Sequence, residues 1–275
     1  MNRPQGSPGH RYGSQGTPSR TAAALVSLQT IVYKETHRYL RIWIQTLVPP
    51  AITMTLYFVI FGALIGERVG EMEGYRYMEY IAPGIIMLAV ITNSYNNVVS
   101  SFFGAKFQRH IEEMLVSPTP NVVILLGYVA GGVGRGLFTG AIVTAVALMF
   151  TSLPIHNWAI TISVVILTAV LFSIGGFINA IYARKFDDIA IIPTFVLTPL
   201  TYLGGVFYSI SLLPEFWQGV SLANPILYMV NAFRYGILGS ADVHIAVSYA
   251  MMLAFIAAFG GFALYLLNRG TGLRS

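Results

Sequence analysis

Trp158-Ala159-Ile160-Thr161-Ile162-Ser163-Val164-Val165-Ile166-Leu167-Thr168-Ala169-Val170-Leu171-Phe172-Ser173-Ile174-Gly175-Gly176-Phe177-Ile178-Asn179-Ala180-Ile181-Tyr182-Ala183 contains no charged residue. A bilayer core about 30 Å thick is crossed by roughly 20 helical residues at 1.5 Å each, so this stretch reads as a membrane-spanning helix. Five further runs have the same character: Ile42 to Ile65, Tyr80 to Phe103, Gly127 to Leu153, Ile189 to Tyr208, and Ile245 to Asn268. The third carries one charge, Arg135, and joins the fourth through Pro154-Ile155-His156-Asn157. Strands of a membrane barrel are about ten residues long and alternate in polarity; these continuous runs predict an all-α integral membrane protein with six spans.

The composition agrees. Of 275 residues, 55% are hydrophobic and 10% charged, whereas about a quarter of a soluble domain is charged. With no cysteine, disulfides, thiolate metal sites and cysteine nucleophiles are excluded. His10, His37, His110, His156 and His244 have no ligand spacing, so no metal or other cofactor is expected on this chain.

The net charge of +5 suggests nucleic acid until the basic residues are placed. With the N-terminus inside, Arg3, Arg11, Arg20, Lys34, Arg38, Arg41, Lys106, Arg109, Arg184, Lys185, Arg269 and Arg274 are cytoplasmic, and only Arg68, Arg76 and Arg234 fall outside. Lys and Arg are retained on the inner side, so the charge is a topology signal: both termini cytoplasmic, no nucleic-acid partner. The first outer loop, with Glu67, Glu71, Glu73 and Glu79, is acidic.

Residues 1–21 are rich in Gly, Pro, Ser, Gln and Arg and predict a disordered tail before a membrane domain spanning 22–275. Between Ala22 and Arg41, Leu25, Leu28, Val32 and Tyr39 fall on one helical arc, with Ser27, Thr30, Lys34, Arg38 and Arg41 on the other. This pattern predicts a helix along the inner interface, in contact with lipid. No cleavage site follows Val32, so a signal peptide is not expected.

No catalytic motif is present, and all eleven acidic residues lie outside the spans, which disfavours a proton-coupled carrier. Gly132, Gly136 and Gly140 form a double Gly-x-x-x-Gly stripe suited to close helix packing. From Gly136 to Leu153 there are 18 uncharged residues, enough for Arg135 to reach the cytoplasmic headgroups as an anchor; a part in ligand binding is the alternative. In the second span Asn93, Asn96, Asn97 and Ser100 share a stripe opposite Ile91, Tyr95, Val98 and Phe102. Amides cannot face hydrocarbon unsatisfied, so the stripe either glues helices or walls a hydrated pathway. The inner loop Lys106 to Pro120 carries Glu112 and Glu113 on a short amphipathic segment, either a solvated face or a docking surface for a cytoplasmic partner.

The order of these features resembles the permease subunits of the ABC-2 family of ATP-binding-cassette exporters. The resemblance is carried by Glu112-Glu113-Met114-Leu115-Val116-Ser117-Pro118 with Leu126-Gly127, by Leu213-Pro214-Glu215-Phe216-Trp217, by Asn224-Pro225-Ile226-Leu227-Tyr228, and by Phe233-Arg234-Tyr235-Gly236. It implies a bacterial inner-membrane protein in which two copies form one translocation unit. Each copy would dock a separate ATPase that consumes ATP and Mg, while this chain catalyses nothing. It further implies coupling through Glu112, Glu113 and Met114, a re-entrant helical hairpin on the outer side between spans five and six, and a pathway between spans one, two and five. The alternative is a secondary transporter that needs no ATPase.

Overall fold

A computed structural model describes residues 20–117 and 119–272; the tail expected over residues 1–21 lies almost wholly outside them. Among the described residues, the regular structure is helical apart from one two-stranded hairpin, Glu71–Met72 with Tyr75–Arg76. The helices are α1 (Arg20–Arg41), α2 (Trp43–Val69), α3 (Tyr77–Phe107), α4 (His110–Val116), α5 (Asn121–Ala147), α6 (Trp158–Tyr182), α7 (Asp188–Tyr202), α8 (Glu215–Leu222), α9 (Pro225–Leu238) and α10 (Ile245–Arg269). Among these, α2, α5, α6 and α10 are long and apolar enough to cross a membrane. The chain is an all-α membrane protein.

Helix α3 is the axis. It has 31 residues, about 46 Å of helix, and almost every side chain from Tyr80 to Phe103 is buried against α5, α6 and α9. Its amide-bearing middle separates it from the four apolar helices, because Asn93, Asn96 and Asn97 occupy positions that Leu or Ile would fill in a lipid-facing span. Interior amides and hydroxyls are admissible here because neighbouring helices shield them.

Two helices bordering α3 depart from regular geometry. Helix α2 contains Pro49 and Pro50 and passes into a π-helical segment, Phe58–Ile65; α7 has a π-helical segment at Pro193–Leu197. Proline removes a backbone donor and crowds the preceding turn, and π-helical turns concentrate at functional sites. Much of α2 is uncovered: Trp43, Ile44, Ile52, Leu56 and Leu64 are all more than half exposed.

Two expected spans end early. The third span's helix, α5, stops at Ala147, and the fifth's, α7, stops at Tyr202, after which residues 203–209 turn back into the bundle with Val206 and Ser209 fully buried. Gly205 makes this possible with φ of +67°, a conformation that costs glycine little. Gly84 on α3 admits the returning loop, since a Cβ there would collide with the backbone of Val206. Helix α8 has eight residues, too few to cross a bilayer, and α9 is nearly all buried against α3, α6 and α10.

The α1 surface also differs from the helical-wheel reading. Leu25 is 60% exposed, while the inward face is Ile31, Glu35 and Tyr39. The cause lies on α5, where Cβ atoms on Gly127, Gly131 and Gly134 would meet Ile31, Glu35 and Tyr39 at 2.6, 2.5 and 3.0 Å. The bare backbone lets α1 approach so closely that the residues opposite the glycines are the ones buried.

Candidate functional site

The four polar residues of the α3 stripe have different surroundings. Asn93 is buried and donates back to the Ala89 carbonyl at 3.0 Å. Asn97 is fully buried, and Arg38 of α1 donates to its side-chain Oδ1 at 2.8 Å and to its backbone carbonyl at 3.0 Å. Asn96 is half-buried and Ser100 exposed, and at helical spacing they continue the line of Leu88 and Thr92. That line looks into a groove between α2, α3 and α7.

Two neighbouring cavities make up the groove. The first, about 150 Å³, is lined by Tyr57, Leu88, Thr92, Asn96, Leu197, Tyr202 and Phe207, among others. The second, about 380 Å³, is lined by Asn96, Val99, Ser100, Arg135, Pro193 and Thr194, with Ile189 and Ala190. Asn96 and Pro193 belong to both. Both π-helical segments border the first cavity: Tyr57 immediately precedes the α2 segment, and Pro193 and Leu197 bound the α7 segment.

Arg135 therefore sits with Asn96 and Ser100. It lies at the middle of α5, and only the helical turns from Gly136 to Ala147, about 18 Å, follow it; the anchor reading assumed helix as far as Leu153. Beside it is a polar knot. Glu35, 1% exposed, holds Arg38 at 3.1 Å and accepts from Ser101 at 2.5 Å. This knot ties α1 to α3.

At the loop joining α3 to α5, Glu112 and Glu113 are exposed and Met114 is half-buried, while Ile111 anchors α4 in the core at 2% exposure. Ser117 donates to Thr119, and Thr119 to Ser27 of α1, at 2.9 and 3.1 Å. A cleft of about 310 Å³ separates α4 from α1, with Met114 on one side and Lys34 on the other. Gly132, Gly136 and Gly140 are buried: Cβ atoms there would meet Ser173 and Val98, Ser94, and Val90 respectively, which are residues of α6 and α3.

A family model described as ABC-2 type transporter matches residues 26–238, which takes in α1 from Val26, both walls of the groove and α9. The chain belongs to the ABC-2 type transporter family. Over 250 residues it is 59% identical to the inner membrane transport permease YadH of Escherichia coli (strain K12), covering 91% of this chain and 98% of that one. It is 24% identical over 194 residues to nodulation protein J of Rhizobium meliloti (strain 1021), covering 69% of this chain and 73% of that one.

The family match ends within a second charged cluster that sequence reasoning missed. Arg234, assigned to an outer loop, is 1% exposed. It donates to the Gly205 carbonyl at 2.6 Å, lies 4.0 Å over the Tyr80 ring, and approaches Asp242 at 3.6 Å. Ser209 lies 2.5 Å from Glu73 and 2.8 Å from Asp242, and Ser240 donates to Glu73 at 3.1 Å. Burial pushes the Asp242 carboxyl above its ordinary range, against the pull of Ser209 and Arg234. Burial acts on Glu73 in the same direction, but hydrogen bonds with Ser209, Asp242 and Ser240 hold it below that range. The signal in the sequence was an arginine, with Asn231, inside a largely apolar 14-residue stretch, a pattern that carries information once that stretch is known to be buried.

Proposed function

We propose that the chain is the membrane-spanning permease subunit of an ATP-driven exporter of the bacterial inner membrane. Two copies form the pathway, and two copies of a separate ATPase supply and hydrolyse ATP with Mg. The observation that carries this reading is the groove between α2, α3 and α7, with Asn96, Ser100 and Arg135 facing it and an uncovered apolar α2 at its side. A hydrated wall next to a face left for a second copy is what a shared central pathway requires. The family match and the likeness to YadH, an inner membrane transport permease, support it. In this arrangement six segments cross the membrane, with α3 and α7 joining the four apolar helices, both termini are cytoplasmic, and α8 and α9 form the re-entrant hairpin entering from outside.

Coupling runs through α4. Glu112 and Glu113 present charge to the ATPase, and the Ser117–Thr119–Ser27 contacts pass its movement to α1. From α1 the Glu35–Arg38–Asn97 knot reaches α3 and the groove wall. The ATPase should co-purify with the detergent-solubilised chain. Glu112→Lys with Glu113→Lys should abolish its stimulation while leaving the permease folded, because exposed substitutions cost within about 0.5 kcal/mol. Full coupling in the double variant would remove α4 from the interface, and gradient-driven transport by the purified chain alone would show a secondary transporter instead.

A further inference from the structure

Arg234 shows how this protein accommodates an interior guanidinium, surrounding it with a carbonyl, an aromatic face and a carboxylate. Arg135 has none of these. Its Nε is buried without a hydrogen-bond partner, and among the described residues the ion pairs are Arg38–Glu35 and Arg234–Asp242, neither of which includes it. Glu35, the acid of the neighbouring knot, is already occupied by Arg38 and Ser101. Arg38 and Arg135 against Glu35 leave one uncompensated positive charge at this end of the groove.

The remaining free polar groups on this cavity can each donate a hydrogen bond, and the neighbouring guanidinium can only donate. The Asn96 amide and the Thr194 hydroxyl make no hydrogen bond among the described residues, whereas the Ser100 hydroxyl already donates to the Asn96 carbonyl at 2.7 Å. A fixed guanidinium fork with a nearby amide and hydroxyl matches a ligand group that carries charge and several acceptor oxygens. Leaving such a charge unpaired in a membrane interior is costly. Asn96 and Pro193 also line the neighbouring cavity walled by Tyr57, Leu88, Leu197, Tyr202 and Phe207, so an anion held here would have an apolar and aromatic surface close by.

We infer that Arg135, with Asn96 and Thr194, is a receptor for a tetrahedral oxyanion such as a phosphate, carried on an amphiphilic ligand whose apolar part lies along the adjoining cavity. This rests on the reading of the groove as the pathway and names the class of ligand that enters it. The oxyanion could be part of an amphiphile or a free ion, and the two sources are separable.

The test is the thermal stability of the purified full-length permease, titrated with lysophosphatidylglycerol, with a monoacylglycerol of the same chain length, or with inorganic phosphate. A ligand that binds the folded form raises the transition in proportion to its affinity. We expect lysophosphatidylglycerol to raise it, the monoacylglycerol to leave it unchanged, and Arg135→Gln to increase the half-saturating concentration at least tenfold, with Arg135→Lys intermediate. A response to inorganic phosphate alone would keep the receptor but remove the amphiphile. Asn96→Asp would place a carboxylate in the cavity and should raise the transition without ligand while abolishing the response; this holds even if Arg135→Gln does not fold. An unchanged response in Arg135→Gln or Asn96→Asp, or no response of the wild type to either phosphate probe, overturns the inference. ATPase capture is measured on the same preparations. Loss of the lipid response with capture retained tests the receptor alone, whereas failed capture with the response retained counts against the exporter reading.

Discussion

Asp242 and Glu73 are neighbouring acids driven in opposite directions, and their environments set opposite dependences on pH. Asp242 is raised by burial, so its stabilising contribution is present below its unfolded value, about 3.9, and is lost as pH rises through its folded value. Glu73 is held low, so its contribution is present above about 4.3 and is lost as pH falls through its folded value. Asp242→Asn should remove the first slope. In melting curves from pH 4 to 8, the wild type should gain on Asp242→Asn as pH falls toward 5; parallel curves would show that Asp242 titrates normally. Arg234→Met should be much worse than Asp242→Asn, by roughly 3–5 kcal/mol, because it leaves two acids facing each other without a cation.

The α3 stripe gives a second test at the same scale. Cysteine introduced at Asn96 or Ser100 should react with a small water-soluble thiol reagent, while cysteine at Asn93, Asn97, Val98 or Phe102 should be protected, since those positions are buried. The absence of native cysteine makes the readout clean. Protection of Ser100 together with Asn97 would make the stripe a dry seam. Asn97→Leu should also lower stability by about 1–3 kcal/mol by taking the Oδ1 acceptor from Arg38, whereas Asn96→Leu should leave it nearly unchanged.

At the scale of elements, α5 is organised by glycines on two faces, one against α3 and α6 and the other against α1. Gly131→Leu should drive α1 off the bundle, exposing Lys34, Arg38 and Arg41 to trypsin while the remaining helices stay protected. Gly104→Ala is the control: nothing lies within 4 Å of a Cβ there, and it should stabilise α3 by about 0.5–1 kcal/mol through helix propensity. Unchanged trypsin resistance in Gly131→Leu would show that α1 is held by the polar knot alone. Helix positions and the Gly132–Gly136–Gly140 stripe were legible in the sequence because hydropathy and spacing depend on one segment at a time. The face that α1 buries was not, because it is chosen by Gly127, Gly131 and Gly134 on another helix. The same limit explains Asn97 and Arg234. A stripe in one helix shows that partners are needed, but which residue meets Arg38 and which meets the groove depends on the bundle. The end of α7 was overextended because residues 203–208 are apolar for reasons of tertiary burial, and the end of α5 because Leu148, Met149 and Phe150, apolar though exposed, prolong the hydropathy run past the helix.

For the whole molecule, the exposed α2 face is the surface on which a second copy would sit. Cysteine at Ile52 or Leu56 should cross-link one protomer to its partner in native membranes, and cysteine at Trp158, exposed on α6, should not. Cross-linking confined to Trp158 would move the dimer to the other side of the bundle.

The outer charged cluster also bears on how the chain is made. Glu73 meets Ser240 across 167 positions, and Arg234 meets the Gly205 carbonyl and Asp242. Three loops emerge from the ribosome far apart in time, and the cluster is complete only once the last, carrying Ser240 and Asp242, has appeared. We expect nascent chains arrested before Ser240 to keep Glu73 accessible and to be degraded faster than chains arrested after the final helix, whose insertion carries Asp242 to its place. Pulse-chase of the two arrested lengths would show this, and equal lifetimes would mean the earlier helices are already settled on their own. The cluster would thus serve as a completion check, closing only on a finished polypeptide.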